Sequence, residues 1–368
     1  MNPEPGLYVH VPFCSAICPY CDFAVTLGAS SRADRFAKRL TQEVELRGTP
    51  SRPFDTLYFG GGTPSLLEPE AIAEMVAALR SRGWLRHNCR LFLEANPEDR
   101  CRFPGFRRAG VHTLSLGVQS FDDDSLHFLG RRHSAEDSRN AIWLACEAGF
   151  ETLSVDLIYG LPGQTVDRWR LELEQVAKLP VDHVSCYQLT VHQNTMFARQ
   201  KIEEPPEPAQ AELFRVTHRV LADLGFEGYE VSNFARSLSH RSAHNEKYWS
   251  HAPYLGLGPS AHSFTGRDRF WNERSFFEWE KRLASERLPV AGSECLDDAA
   301  LALETLMLRL RTRQGLDLCA YERRFGINLR ERSAPAVRDG LLAVDDGWLR
   351  PTLDGLAVAD RLAVSLSR

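Results

Sequence analysis

From residue 6 to about residue 230, short apolar runs alternate with stretches of helical periodicity. Leu7 to Val11, Thr56 to Phe59, Arg90 to Glu94, Thr113 to Val118, Thr152 to Tyr159 and His183 to Leu189 are rich in Val, Leu, Ile, Tyr and Phe. They largely lack the charge alternation of a one-sided sheet and read as buried parallel strands. Between them, apolar residues recur at helical spacing: Phe36, Leu40 and Val44; Ile72, Met75, Val76 and Leu79; Val166, Trp169, Leu173 and Val176; Leu213, Val216, Val220 and Leu224. Six β/α units in succession predict a parallel sheet with right-handed crossovers, either doubly wound or curled into a partial barrel. Polar and glycine-rich loops follow the strands: Gly60-Gly61-Gly62-Thr63, Asn96-Pro97, Gln119-Ser120 and Gly160-Leu161-Pro162-Gly163. Ligands of such sheets bind beyond the carboxyl ends of the strands, so the site is expected on that rim.

The pattern changes twice further on. Glu203-Glu204-Pro205-Pro206-Glu207-Pro208 is a solvated connector before a helix, and residues 231–292 are aromatic and loop-rich. After about residue 293 come helices, with Leu303, Leu306, Met307 and Leu310 on one face and Leu318, Tyr321 and Phe325 on another. Asp345-Asp346-Gly347 then signals a hairpin before a last helix. The division expected is a barrel over 1–230, its aromatic extension over 231–292, and a small winged-helix-like domain over 293–368. Residues 295–368 carry 11 Arg against 11 Asp and Glu, which argues against nucleic-acid binding because phosphate neutralisation needs excess positive charge.

Composition narrows the class. A chain of 368 residues, 43% hydrophobic and 25% charged, has a sizeable core and is neither disordered, collagen-like nor coiled-coil. No apolar run approaches the roughly 18 residues of a membrane span. Met1-Asn2-Pro3-Glu4-Pro5-Gly6 has neither a basic nor an apolar leader region, and a cytoplasmic protein is expected. The net charge of -5 opposes a general polyanion-binding role, and the 39 Arg against 5 Lys are scattered along the chain. Of nine cysteines, Cys14, Cys18 and Cys21 lie within eight residues while the other six stand alone, a reduced chain without a disulfide framework.

Cys14-x3-Cys18-x2-Cys21 follows the first strand. Three unrelated thiols are one reading. A zinc site is another, but it needs a fourth ligand such as His10 or a distant histidine. The third is a 4Fe-4S cluster held by three thiolates, with one iron left open to a further ligand. No Cys-x-x-Cys-His occurs, so a heme would not be attached covalently.

The motifs together resemble the radical S-adenosylmethionine (SAM) superfamily, and within it the HemN/HemW family. The resemblance lies in Tyr8-Val9-His10-Val11-Pro12-Phe13-Cys14, Cys18-Pro19-Tyr20-Cys21-Asp22-Phe23, Tyr58-Phe59-Gly60-Gly61-Gly62-Thr63-Pro64-Ser65, Gly117-Val118-Gln119-Ser120-Phe121 and Asp156-Leu157-Ile158-Tyr159-Gly160-Leu161-Pro162-Gly163-Gln164-Thr165. It implies a partial (β/α)6 TIM-like barrel, a 4Fe-4S cluster on Cys14, Cys18 and Cys21, and SAM on the open iron, cleaved by one-electron reduction to a 5′-deoxyadenosyl radical. The family contains oxygen-independent coproporphyrinogen III oxidases and heme chaperones. The oxidases carry a further cysteine two residues after the third, where this chain has Phe23, and a longer N-terminal extension. The chaperone branch carries HNxxYW, matched by His244-Asn245-Glu246-Lys247-Tyr248-Trp249.

The resemblance therefore implies a chaperone that binds heme and passes it to an acceptor protein, with an electron donor for the cluster and no assigned catalytic residue. The oxidase, acting on a porphyrin precursor, is the alternative. Gly61, Gly62 and Thr63 are expected at the SAM amino group, since glycine lets backbone approach a ligand. Glu94 is placed to meet that cation or the ribose, and Gln119 and Asp156 the ribose hydroxyls. Arg131, chosen over Arg132 by the family's spacing, is matched to the SAM carboxylate. Tyr8 and Tyr20 occupy aromatic positions near SAM, and His244 is the candidate axial ligand of heme, while His10 is expected to pack near the cluster.

Overall fold

The computed structural model describes residues 4–28 and 32–367, so Met1, Asn2 and Pro3 of the stretch read for a leader lie outside it. Its centre is six parallel strands: β1 (Gly6–Val11), β2 (Phe54–Gly61), β3 (Leu85–Ala95), β4 (Thr113–Gln119), β5 (Thr152–Tyr159) and β6 (His183–Gln188). Each is hydrogen-bonded to the next in chain order. A doubly wound sheet starts at its middle and reverses; a strictly sequential order puts every right-handed crossover on one side, and the sheet curls about the other. This order selects the partial barrel.

The crossover helices α1 (Ala33–Arg47), α2 (Pro69–Ser81), α3 (Ala135–Ala148) and α4 (Val166–Val176) pack outside, followed by α5 (Glu207–Asp223). Phe36, Leu40 and Val44 of α1, Ile72, Met75, Val76 and Leu79 of α2, and Trp169, Leu173 and Val176 of α4 join one apolar core with Leu91, Leu93, Leu114, Leu116, Val155 and Leu157 of the strands. The other face of the strands differs from the sequence reading. Glu94, Thr113, Ser115, Ser154, Asp156, His183 and Ser185 alternate with those apolar residues and line the barrel interior. The strands are buried on both faces, yet the inner face is polar because it surrounds a lumen rather than a second helical layer.

Residues read as loop-rich supply further strands. Tyr254–Leu257 adds in parallel to β1, and His262–Phe264, Asp268–Asn272 and Val290–Cys295 continue antiparallel. These strands are short and interrupted by glycine and serine, which weakens their period. Glu43 of α1 fastens the extension to the barrel. Its fully buried carboxylate accepts from Gly258 N and Trp279 Nε1 at 2.9 Å each, from Asn272 Nδ2 at 2.8 Å, and from Arg47 Nη2 at 2.8 Å.

The C-terminal part runs helix Asp298–Leu310, strand Leu316–Asp317, helices Leu318–Phe325 and Leu329–Arg338, then hairpin strands Leu342–Asp345 and Trp348–Pro351, the winged-helix order. It has its own apolar core, including Leu306, Leu310, Leu318, Tyr321 and Leu349, whereas Met307 faces outward. Asp346 and Gly347 have φ of 45° and 80°, as a two-residue hairpin turn of this hand requires. Helix Leu329–Arg338 escaped the sequence reading; Pro335 inside it is a helix-breaking signal. No described helix is long and apolar enough to cross a membrane.

Glu43→Ala leaves the Arg47 side chain without its counter-charge and two buried donors, Gly258 N and Trp279 Nε1, without an acceptor. It is expected to lower stability by roughly 3–5 kcal/mol, read from the urea midpoint. A midpoint equal to wild type would show that this node does not anchor the extension.

Candidate functional site

A cavity of about 450 Å³ opens beyond the carboxyl ends of the strands, walled on one side by the loop after β1. Cys14, Cys18 and Cys21, all partly buried, reach it from that loop. The turn after β2 sets the loop's position. Gly62 N donates to Val11 O at 2.8 Å and Thr63 N to Phe13 O at 2.7 Å. A Cβ on Gly62 would stand 2.5 Å from the Phe13 carbonyl oxygen, and one on Gly61, whose φ is 113°, 2.5 Å from the His10 ring. The glycines are thus required by close contact between two loops as well as by access to a ligand.

A chain of side chains links two of the thiols. Thr63 Oγ1 donates to Cys14 Sγ at 3.6 Å and accepts from Asn96 Nδ2 at 3.4 Å. Arg131 Nη2 donates to Asn96 Oδ1 at 2.6 Å, and Arg131 Nη1 to Cys18 Sγ at 3.5 Å. Arg131 Nε is buried without an acceptor among the described residues. Across the cavity, Glu94 accepts from Tyr58 Oη at 2.9 Å and Gly61 N at 3.1 Å. Burial, reinforced by the nearby Asp156 charge, pushes the Glu94 carboxyl up to about 7. Burial likewise pushes Asp156 up to about 6, against hydroxyl hydrogen bonds including that from Ser115. Gln119 stands at an irregularity in the β4–β5 pairing with φ of 69°, a strained conformation for a non-glycine residue that turns its side chain over the cavity.

These donors fit an anionic iron–sulfur centre. Burial raises the Cys14 thiol to about 11 and raises Cys21 as well, so ionising them calls for nearby positive charge, of which the Arg131 guanidinium offers part and iron would add the rest. Among the described residues no three His, Cys, Asp or Glu converge on one ion. A cubane takes one thiolate per iron, so its ligands surround the cluster instead of meeting at a point. The orphaned Arg131 Nε offers a donor to a further anionic group.

Tyr20, Gly61, Gly62, Thr63, Glu94, Gln119, Arg131 and Asp156 all line the same cavity as the cysteines. Tyr8 does not. It lies one layer below, hydrogen-bonded to His10 Nδ1 at 3.1 Å and stacked on Tyr58. His10 packs beneath the glycine turn and contacts Ala24 O at 3.1 Å. His244 departs most from its expected role as an axial ligand. It is buried at the amino ends of β1 and β2, with Nδ1 3.0 Å from Thr56 Oγ1 and Nε2 3.0 Å from Tyr248 Oη. Both nitrogens are engaged, and the ring stacks on Tyr58 away from the cavity. Asn96, Ser115, Tyr187 and His192 line the cavity without having been singled out. The available signal was position: Asn96, Tyr187 and His192 stand at or beyond a strand's end, and Ser115 lies on the inward face within β4.

The family model described as Radical SAM superfamily matches residues 8–176, and that described as HemN C-terminal domain matches residues 296–358. The chain is similar to a heme chaperone HemW of Mycobacterium tuberculosis, 36% identical and covering 98% of this chain and 94% of that protein. It is also similar to the heme chaperone HemW of Bacillus subtilis, at 31% identity over 88% of this chain and 87% of the other. The mitochondrial radical S-adenosyl methionine domain-containing protein 1 of Bos taurus is 33% identical, with 99% and 89% covered. Among solved structures, coproporphyrinogen III oxidase (HemN) from Escherichia coli shares the fold, with a TM-score of 0.85 at 23% identity over 99% of this chain and 90% of that one.

The raised Glu94 value has a definite sign. The folded protein keeps the proton that the unfolded chain releases, so this contribution to stability is present at low pH and is lost as pH rises from 4.5 to about 7. Glu94→Gln is expected to flatten that part of the stability–pH curve, measured by urea midpoints across this range. A curve unchanged from wild type would exclude the assignment.

Proposed function

The chain belongs to the HemW family of radical SAM proteins, and from that premise we propose that it is a heme chaperone: it binds a 4Fe-4S cluster, SAM and heme, and delivers heme to an acceptor protein. One observation carries the cofactor reading. The three thiols line the same cavity as Glu94 and Arg131, whose buried Nε lacks an acceptor among the described residues. Cys14, Cys18 and Cys21 would hold the cluster with one iron left open to the amino and carboxylate groups of SAM, and a cluster reduced by an electron donor would supply the electron for SAM cleavage.

The residues divide the work by charge. Glu94 is placed to accept an N–H of the SAM amino group; such a donor favours the ionised form of the carboxyl, so binding below about pH 7 is coupled to loss of its proton. The Arg131 guanidinium, already held by Cys18 and Asn96, would face a carboxylate oxygen of SAM. Asp156 and Gln119 hold the ribose hydroxyls, and Tyr20, packed on Phe197, screens the cluster from water. Phe23 stands where the oxidases of the family carry a further cysteine. It favours the chaperone over the decarboxylation of coproporphyrinogen III.

Individual replacement of Cys14, Cys18 or Cys21 by Ala is expected to abolish iron and sulfide retention after anaerobic reconstitution, whereas Cys146→Ala, outside the cavity, retains both. Retention in all three variants would remove the cofactor reading. Reconstituted protein is expected to bind heme and, given SAM and a reductant, to leave coproporphyrinogen III unchanged. Formation of protoporphyrinogen would instead establish the oxidase.

A further inference from the structure

His192 stands at the cavity mouth in the loop after β6, its side chain 51% exposed, with Nδ1 3.8 Å from an Asp22 carboxylate oxygen. Backbone contacts fix its loop on both sides: Leu189 N donates to Tyr159 O at 2.8 Å, Val191 N to Glu204 Oε1 at 2.8 Å, and Thr195 caps the following helical turn. The 3.8 Å between Nδ1 and the Asp22 carboxylate is a separation that a bridging water spans. With Nδ1 turned toward Asp22, Nε2 lies on the other edge of the ring. Metal-binding histidines are commonly oriented in this way.

The surroundings narrow what metal species fits. Phe23 is 65% exposed and Ile17 50%, both on the cysteine loop and both lining the cavity. Large apolar side chains beside an enclosed opening mark a binding surface. Arg132 adds an exposed cation on the same lining. A flat apolar ring carrying acidic substituents and a metal that seeks nitrogen matches all three features.

We propose that His192 Nε2 is the axial ligand of an iron porphyrin seated across the cavity mouth on Phe23 and Ile17, with an acidic ring substituent on Arg132. This rests on the heme-binding reading above and locates its site. A metal-free porphyrinogen gains nothing from the imidazole, so the arrangement is selective for the metallated ring.

The test is titration of hemin, and separately of metal-free protoporphyrin IX, into anaerobically reconstituted wild type, His192→Ala and Phe23→Ala, followed at the Soret band. Wild type is expected to give an imidazole-ligated hemin spectrum. His192→Ala should bind hemin about tenfold or more weakly, the scale on which loss of metal-site partners acts. It should recover the ligated spectrum with added free imidazole and bind protoporphyrin as wild type does. Phe23→Ala should weaken both porphyrins. A His192→Ala variant with wild-type hemin affinity and spectrum, or equal weakening of both porphyrins by this substitution, would overturn the assignment and leave heme binding standing. Failure of wild type to bind either porphyrin would overturn both.

Discussion

The site depends on the backbone contact between the glycine turn after β2 and the cysteine loop after β1. Two backbone N–H groups, of Gly62 and Thr63, reach across to Val11 and Phe13. Only glycine at 62 permits that approach. The same turn presents Gly61 N to Glu94 and Thr63 Oγ1 to Cys14. One contact therefore sets the spacing between a carboxylate and a thiol carried on different strands. Asn96 extends the control to Arg131 and Cys18, so side chains from four segments are joined in one hydrogen-bonded chain.

The chemistry follows from placing this unit at the rim of a barrel whose interior is polar. Burial in the lumen disfavours the ionised carboxylates, which is why Glu94 and Asp156 are displaced upward. The burial that raises them makes them responsive to an arriving cation. On the opposite side Arg131 offsets the charge of the thiolates. The cavity is thus divided into an end that takes positive charge and an end that takes negative charge, which suits a zwitterionic amino-acid moiety. The outer mouth, with Phe23, Ile17 and His192, is chemically distinct from both.

Much of this was legible in the sequence because the signals were local. The Cys14, Cys18 and Cys21 spacing, the triple glycine and the strand-end residues Glu94, Gln119 and Asp156 are fixed by short-range geometry, and sequential β/α units give the barrel. What was not legible depends on which way side chains face. The alternation Thr113, Ser115, Gly117, Gln119 against Leu114, Leu116, Val118 is present in the chain, but small hydroxyl residues do not interrupt an apolar run as charges do. His244 sits among aromatics that made it resemble a ligand, yet Thr56, from a strand nearly two hundred positions earlier, occupies its nitrogen. Asp22 and His192 meet only because the curl of the sheet brings the loop after the first strand near the loop after the sixth.

The central claim is that the cavity holds a three-thiolate cluster whose remaining iron takes SAM. Mössbauer spectroscopy of anaerobically reconstituted, ⁵⁷Fe-labelled protein, with and without SAM, tests it most directly. The account predicts that one iron of the cluster changes its signal on addition of SAM while the others do not. A cluster whose irons all remain unchanged, or a preparation that retains zinc in place of iron and sulfide, would contradict it.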